Sequence, residues 1–252
     1  MSHIVFYKGL AGGGKMSKKL KISAFAIGFI LLLVLFQYQF LDNNSWKSWN
    51  LPLSGKIIYI DPGHGGPDGG AVGGDILEKD VALQVSLRLR DYLQEQGALV
   101  LLTREDDSDL ASESTSGYSR RKVEDLKNRV EIINDSEADL FLSIHLNAIP
   151  SSKWSGAQTF YFPASDENEA VAKFIQDELR RNLENTTRSA KAISNLYILK
   201  NVKKPGALVE VGFLSNYTER ELLGTDSYQE KLAASIYNGI LRYFSNETNP
   251  PD

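Results

Sequence analysis

Cysteine is absent from the 252 residues, so no disulfide framework, iron–sulfur cluster, thiolate-rich zinc site or cysteine nucleophile is available. Histidine is nearly as scarce, with His3, His64 and His145 making up the full set. A metal centre in this chain therefore has to combine imidazole with carboxylate. Positive charge is not in excess either: 28 Lys and Arg stand against 32 Asp and Glu, for a net charge of -4. That balance offers no broad cationic surface for clamping nucleic acid, which is not expected as a partner. No Gly-x-Ser-x-Gly elbow occurs, which leaves a Ser-His-Asp hydrolase poorly supported.

With 42% hydrophobic and 24% charged residues, what remains is ordinary globular composition, enough for one medium-sized domain and a short extension. The one long apolar run is Ile22–Phe36, broken only by Ser23 and Gly28 and preceded by Lys15, Lys18, Lys19 and Lys21. At 15 residues it is shorter than the ~20 that usually span a bilayer, but Tyr38, Phe40 and Leu41 extend it through the interface. Its basic flank sets the amino-terminal side in the cytoplasm, and no small-x-small cleavage site follows. The expectation is an uncleaved signal anchor over 22–41 behind a basic segment 1–21. A linker over 42–55 then leads to a catalytic domain over 56–245 and a tail over 246–252, all outside the cytoplasm. Trp46 and Trp49 in the linker suit the headgroup layer.

Residues 9–15, GLAGGGK, approach a phosphate-binding loop, yet Met16 stands where a hydroxyl must reach magnesium. We read Met16 as the true initiator and the glycines before it as a translated ribosome-binding stretch. Finding residues 1–15 on the natively expressed protein refutes that reading.

From Lys56 onward the pattern alternates. Strands are expected at Lys56–Ile60, Ala98–Thr103, Leu140–His145, Thr159–Phe162, Tyr197–Leu199 and Ala207–Val211. Helices are expected around Val81–Leu93, Val123–Ile133, Glu169–Leu183 and Tyr228–Phe244. This order predicts an α/β fold: a single domain with a mostly parallel twisted sheet covered by helices on both faces, plus the amino-terminal transmembrane helix. The polar segment 104–120 reads as solvated surface or a lid. Sites in such folds lie beyond the carboxyl ends of the strands.

Both remaining histidines fall there, His64 in DPGHGG after the first strand and His145 in SIHLNA closing the third. Zinc in hydrolases is often held by two His and one carboxylate, leaving a position for water. Glu78 is the candidate third ligand, at the start of the helix that follows the glycine loop; alternatively it is simply an acid favoured by the helix dipole. The seven glycines of residues 63–74 make that loop pliable. Glu210, in ALVEVGF, is placed as a catalytic base where its strand ends in a Gly-Phe turn; alternatively it forms a buried ion pair with an arginine. Asp61 either orients a ligand imidazole or forms an Asx turn.

The strings DPGHGGPDGGAVGGDILEKD, ADLFLSIHLNA and LVEVGFLSN, in that order, resemble the zinc-dependent N-acetylmuramoyl-L-alanine amidases of the amidase-3 family over residues 56–244. The resemblance implies His64, Glu78 and His145 as zinc ligands and Glu210 as the catalytic carboxylate. The anchor with its Trp-containing linker, GYSRRK, HLNAIPSSKWSGAQ and ELRRNLENTTR are similar to the germination-specific branch found in endospore formers. That branch implies removal of peptide from muramic acid in spore cortex peptidoglycan, the step before muramic-δ-lactam forms, with a deacetylase acting next, an activating partner conceivable, and the membrane engaged through the amino-terminal helix. Two other readings of the same residues stay open: a zinc peptidase or peptidoglycan deacetylase with another scissile bond, and a non-catalytic wall-binding module.

Overall fold

The computed structural model describes residues 17–40, 51–245 and 247–248, in two units, 1–50 and 51–252. The proposed initiator Met16, the glycine stretch before it and most of the 42–55 linker lie outside the described residues. In the first unit, helix α1 (Lys18–Phe40) is apolar all round its described surface, every side chain from 17 to 38 being exposed. Its 23 residues rise about 34 Å, which matches a hydrocarbon core of about 30 Å. The helix starts four residues before the apolar run, taking Lys18, Lys19 and Lys21 into its first turn.

The second unit is built on a six-stranded sheet. Its strands are β1 (Ile57–Pro62), β4 (Leu99–Leu102), β5 (Leu140–Asn147), β6 (Gln158–Tyr161), β7 (Lys191–Ala192) and β8 (Gly206–Phe213), in the order β4-β1-β5-β8-β6-β7. All neighbours run parallel except β6 against β8. A small antiparallel hairpin, β2 (Val72–Gly73) with β3 (Ile76–Leu77), stands apart. The expected mostly parallel sheet is present, with helices on both faces.

Alternation along each strand sorts the side chains between two layers. Ile58, Ile60, Leu142, Ile144, Val209 and Val211 point to one face. There they meet Val81, Val85, Leu89 and Leu93 of α2 (Glu78–Glu95), Val171 and Ile175 of α4 (Asp166–Leu183), and Ile236 and Ile240 of α7 (Asp226–Phe244). Tyr59, Phe141 and Leu208 point to the other, against Val130 and Ile133 of α3 (Tyr118–Asp135) and Ile198 and Leu199 of α5 (Tyr197–Asn201). A seventh helix, α6 (Tyr217–Leu223), follows β8.

Two expectations are corrected. Tyr197–Leu199 is helix rather than strand: the Lys200 N–H bonds the Leu196 carbonyl, and Ile198 and Leu199 cap the smaller apolar layer. A three-residue apolar run carries no period by which to tell the two apart. β8 does not end at Glu210 in a Gly-Phe turn but continues to Phe213, because Asn147 pairs with Phe213 across an irregularity in the β5–β8 ladder.

Candidate metal centre and catalytic carboxylate

Asp61, Ser143 and Glu210 share the α3/α5 face, one alternation step above Tyr59, Phe141 and Leu208, with His145 one step beyond Ser143. His145 and Glu210 are register partners on adjacent parallel strands. His64 follows β1 in a left-handed conformation, φ 61°, unusual for a residue with a side chain. Arg129 fixes this turn by donating to the His64 carbonyl at 2.6 Å, to the Pro62 carbonyl at 2.8 Å and to Asp61 at 2.7 Å. Arg104 completes the clamp through the Pro62 and Gly63 carbonyls.

Glu78 comes from the opposite layer. It is the first residue of α2, and its side chain passes over the strand ends, accepting from the Ala71 and Leu146 N–H groups. Its two oxygens lie 2.9 Å from His145 Nδ1 and 3.2 Å from His64 Nε2, with the residue only 4% exposed. The imidazole rings stand edge to face with centroids 5.1 Å apart. One ligand atom from each of His64, Glu78 and His145 falls within 4.8 Å of the others, so the three expected ligands are brought together. The alternative of a mere helix-dipole acid does not account for a carboxylate shared between two imidazoles.

The glycines serve close approach rather than pliability. A Cβ on Gly63 would come within 2.4 Å of the His145 ring, and one on Gly70, itself at φ +69°, within 2.6 Å of Glu78 Oε2. Asp68, one of the residues sequence reasoning passed over, accepts from His64 Nδ1–H at 2.9 Å and leaves Nε2 to face Glu78. An outer carboxylate of this kind is the usual orienting partner of a metal-bound histidine. Asp68 is in turn held by Tyr118 and Lys122 of α3. Two imidazole nitrogens, a buried carboxylate oxygen and an oriented ring make a donor set that fits a zinc-sized cation.

Asp61 neither bonds an imidazole nor turns the chain. It accepts from Thr103, Arg129 and Ser143 beneath the site. The segment 104–120 is likewise not simply solvated: Arg104 is buried, and Asp107 accepts from the Gly66 N–H and from Lys79.

The two glutamates of the site are driven in opposite directions. Burial alone would raise Glu78, but the hydrogen bonds from His145 and His64 outweigh it and hold the carboxyl well below the usual range. Burial pushes Glu210 up to about 7, with the attraction of His145 too weak to offset it. Among the described residues Glu210 has no ion pair with an arginine, the alternative its position suggested; its Oε2 is out of solvent and has no hydrogen-bond partner there. His145 is raised, because Glu78 more than compensates its burial. Beside the triad a cavity of about 170 Å³ opens between α3 and α5, floored by His64 and His145 and walled by Lys122, Leu126, Tyr197 and Leu208.

Comparison with known proteins returns a family match over residues 58–242, described as N-acetylmuramoyl-L-alanine amidase. The germination-specific N-acetylmuramoyl-L-alanine amidase of Bacillus subtilis is 69% identical over 237 residues, which is 94% of this chain and all of that protein. The LytC amidase of the same organism is 36% identical over 77% of this chain and 36% of its own length. Among solved structures, the CwlD amidase of Clostridioides difficile, determined in complex with the GerS lipoprotein, is similar with a TM-score of 0.74 at 44% identity. It covers 76% of this chain and all of its own.

Proposed function

Since this chain belongs to the N-acetylmuramoyl-L-alanine amidase family, we propose that His64, Glu78 and His145 hold a zinc ion and that Glu210 is the catalytic carboxylate beside it. The reaction is hydrolysis of the amide between the lactyl group of N-acetylmuramic acid and the L-alanine of the stem peptide in peptidoglycan. Zinc in such a centre supplies Lewis acidity, lowering the pKa of water from about 15.7 to about 7 and polarising a carbonyl.

The observation that carries the assignment is the unpartnered, buried Oε2 of Glu210 on the register neighbour of His145. A carboxyl poised at about 7 can take a proton from attacking water and return it to the departing alanine nitrogen. The lactyl group then leaves as a carboxylic acid and the peptide as a free amine. Asp68 keeps the His64 ring turned so that Nε2 points at the site, while the Arg129 and Arg104 clamps hold the backbone that carries it. Glu78, held ionised, balances the charge of the cation.

Zinc content and digestion products test this together. His64→Ala or His145→Ala should lose zinc, whereas Glu210→Gln should keep it and lose turnover. Mass spectrometry of digested peptidoglycan should show intact stem peptides and a glycan that remains N-acetylated. Deacetylated glycan or shortened peptides in its place would show that the bond has been misassigned.

The 69% identity to a germination-specific amidase supports a role in the spore cortex, with α1 tethering the domain outside the cytoplasm. We propose that the peptide-free muramic acid it leaves is the substrate of a deacetylase and then becomes muramic-δ-lactam. Spores lacking the chain should contain cortex without that lactam; normal lactam content would refute the role.

A further inference from the structure

Arg188 lies between α4 and β7, half-buried, with its guanidinium over two aromatic rings. Its central carbon is 5.4 Å from the Trp154 ring centroid and 5.1 Å from that of Phe213. Nε donates to the Ser155 carbonyl at 3.1 Å and Nη1 to Gln158 Oε1 at 3.2 Å, which leaves Nη2 without a partner among the described residues. Arg188 makes no ion pair among the described residues. Four other cations near the site are paired with acids, Lys122 with Asp68, Lys79 with Asp107, Arg121 with Asp109 and Arg129 with Asp61, while buried Arg104 spends its donors on the Pro62, Gly63, Lys79 and Asp106 carbonyls. The acid whose charge Arg188 feels, Glu219, has both oxygens taken by the Gly156 and Phe213 N–H groups.

The position of this fork matters as much as its freedom. Gln158 is the register partner of Glu210 in the antiparallel β6–β8 pair, so both side chains lie on the α3/α5 face. Arg188 therefore stands one side chain beyond the reacting carboxylate, on the β6 side of the sheet and away from the β1 side where Lys122 meets Asp68. Trp154 extends this flank outward, 51% exposed.

We propose that Arg188 binds a carboxylate of the stem peptide and so selects the peptide side of the substrate; the inference rests on Glu210 marking the scissile amide. Beyond that amide, L-alanine is followed in the common stem peptide by a glutamate joined through its side-chain carboxyl. Its free α-carboxylate is the first anion the enzyme meets along the peptide. A planar guanidinium fixed by two aromatic rings, one bond to a backbone carbonyl and one to a side-chain amide is pre-organised for such a group, where a flexible ammonium would not be.

The test compares two muropeptides that differ only at that position, one with the free α-carboxylate and one with its carboxamide. For the full-length wild type, kcat/KM should favour the carboxylate by about tenfold or more, chiefly through KM. Arg188→Gln should bring the ratio close to one, and Arg188→Lys should retain part of it. Dissociation constants measured in the Glu210→Gln background, with and without Arg188→Gln, should show the same loss of preference. Equal cleavage and equal binding of the two muropeptides by the wild type would overturn the inference. So would an Arg188→Gln variant that weakens both substrates by one factor, as a mere strut between Ser155 and Gln158 would. If the wild type distinguishes the two in binding but cleaves neither, the amidase reading of the site fails while the carboxylate site stands.

Discussion

The two faces of one sheet are made from the same strands and do different work. On β5, Leu142 and Ile144 enter the apolar layer beneath α2, α4 and α7, while Ser143 and His145, alternating with them, enter the polar mouth beneath α3 and α5. On β8, Val209 and Val211 flank Glu210 in the same way. The first face is closed by aliphatic packing. The second is apolar only at its base, where Phe141 and Leu208 meet Ile198 and Leu199, and above them, among the described buried carboxylates of this face, all but one are held by partners. Asp61 has three partners and Arg129 has Asp61, Asp125 and two carbonyls. The exception is Glu210. A period-two alternation thus lets one face supply cohesion while its reverse carries charge that would otherwise be costly to bury.

The comparison breaks most sharply at that exception. Glu210→Gln should lower turnover by about 10²–10⁴-fold, the usual range for losing a general base, with zinc content unchanged in elemental analysis. Next comes Arg129→Met, which strands Asp61 and Asp125 in a site where Arg129 is 2% exposed. Urea unfolding should report a loss of about 3–5 kcal/mol. Adding Asp61→Asn should recover part of it, and full additivity of the two changes would argue against a shared network. The same variant should weaken zinc binding, since the His64 carbonyl loses its donor. Leu142→Ala, on the same strand but facing the other way, should cost about 3 kcal/mol by leaving a cavity, yet leave zinc affinity as it was. If Leu142→Ala moved zinc affinity as far as Arg129→Met does, the division of labour between the faces would be wrong.

How much of this was readable beforehand follows from the same division. The apolar face writes itself into the sequence as period and run, which is why Val81, Val85, Leu89 and Leu93 were identifiable as one helix stripe. The metal-ligand candidates were legible because histidine is so scarce, and the structure brings all three together with Glu210 alongside. What could not be read were partners distant in the chain with no periodic signature: Arg129 reaching back to Asp61 and His64, or Glu219 tying Gly156 to Phe213. Asp68 was in plain sight within GGPDGG, but nothing in its spacing says that it meets His64 rather than solvent. The helix at Tyr197–Asn201 was misread because three residues are too few to carry a period.

A subtler consequence of the polar face concerns pH in the metal-free protein. Glu210 has a folded pKa of about 7 against an ordinary 4.5, and it faces His145, Glu78 and His64. Below pH ~4.5 both states hold the proton and the group contributes nothing. Between ~4.5 and ~7 the unfolded chain ionises first, so the folded state loses stability as pH rises; above ~7 the penalty is complete, on the order of 3 kcal/mol. His145, raised in the fold, also loses its contribution as pH rises, so the wild-type profile alone mixes the two. The difference between wild type and Glu210→Gln at each pH isolates the carboxyl. Unfolding in urea with a chelator present should show the Gln variant little changed near pH 4 and more stable than wild type by about 2–3 kcal/mol at pH 8. Added zinc should shrink that gap by favouring the ionised carboxylate. A difference that stays flat across the whole range would mean that Glu210 is solvated like any surface acid, and the contrast between the two faces would lose its main support.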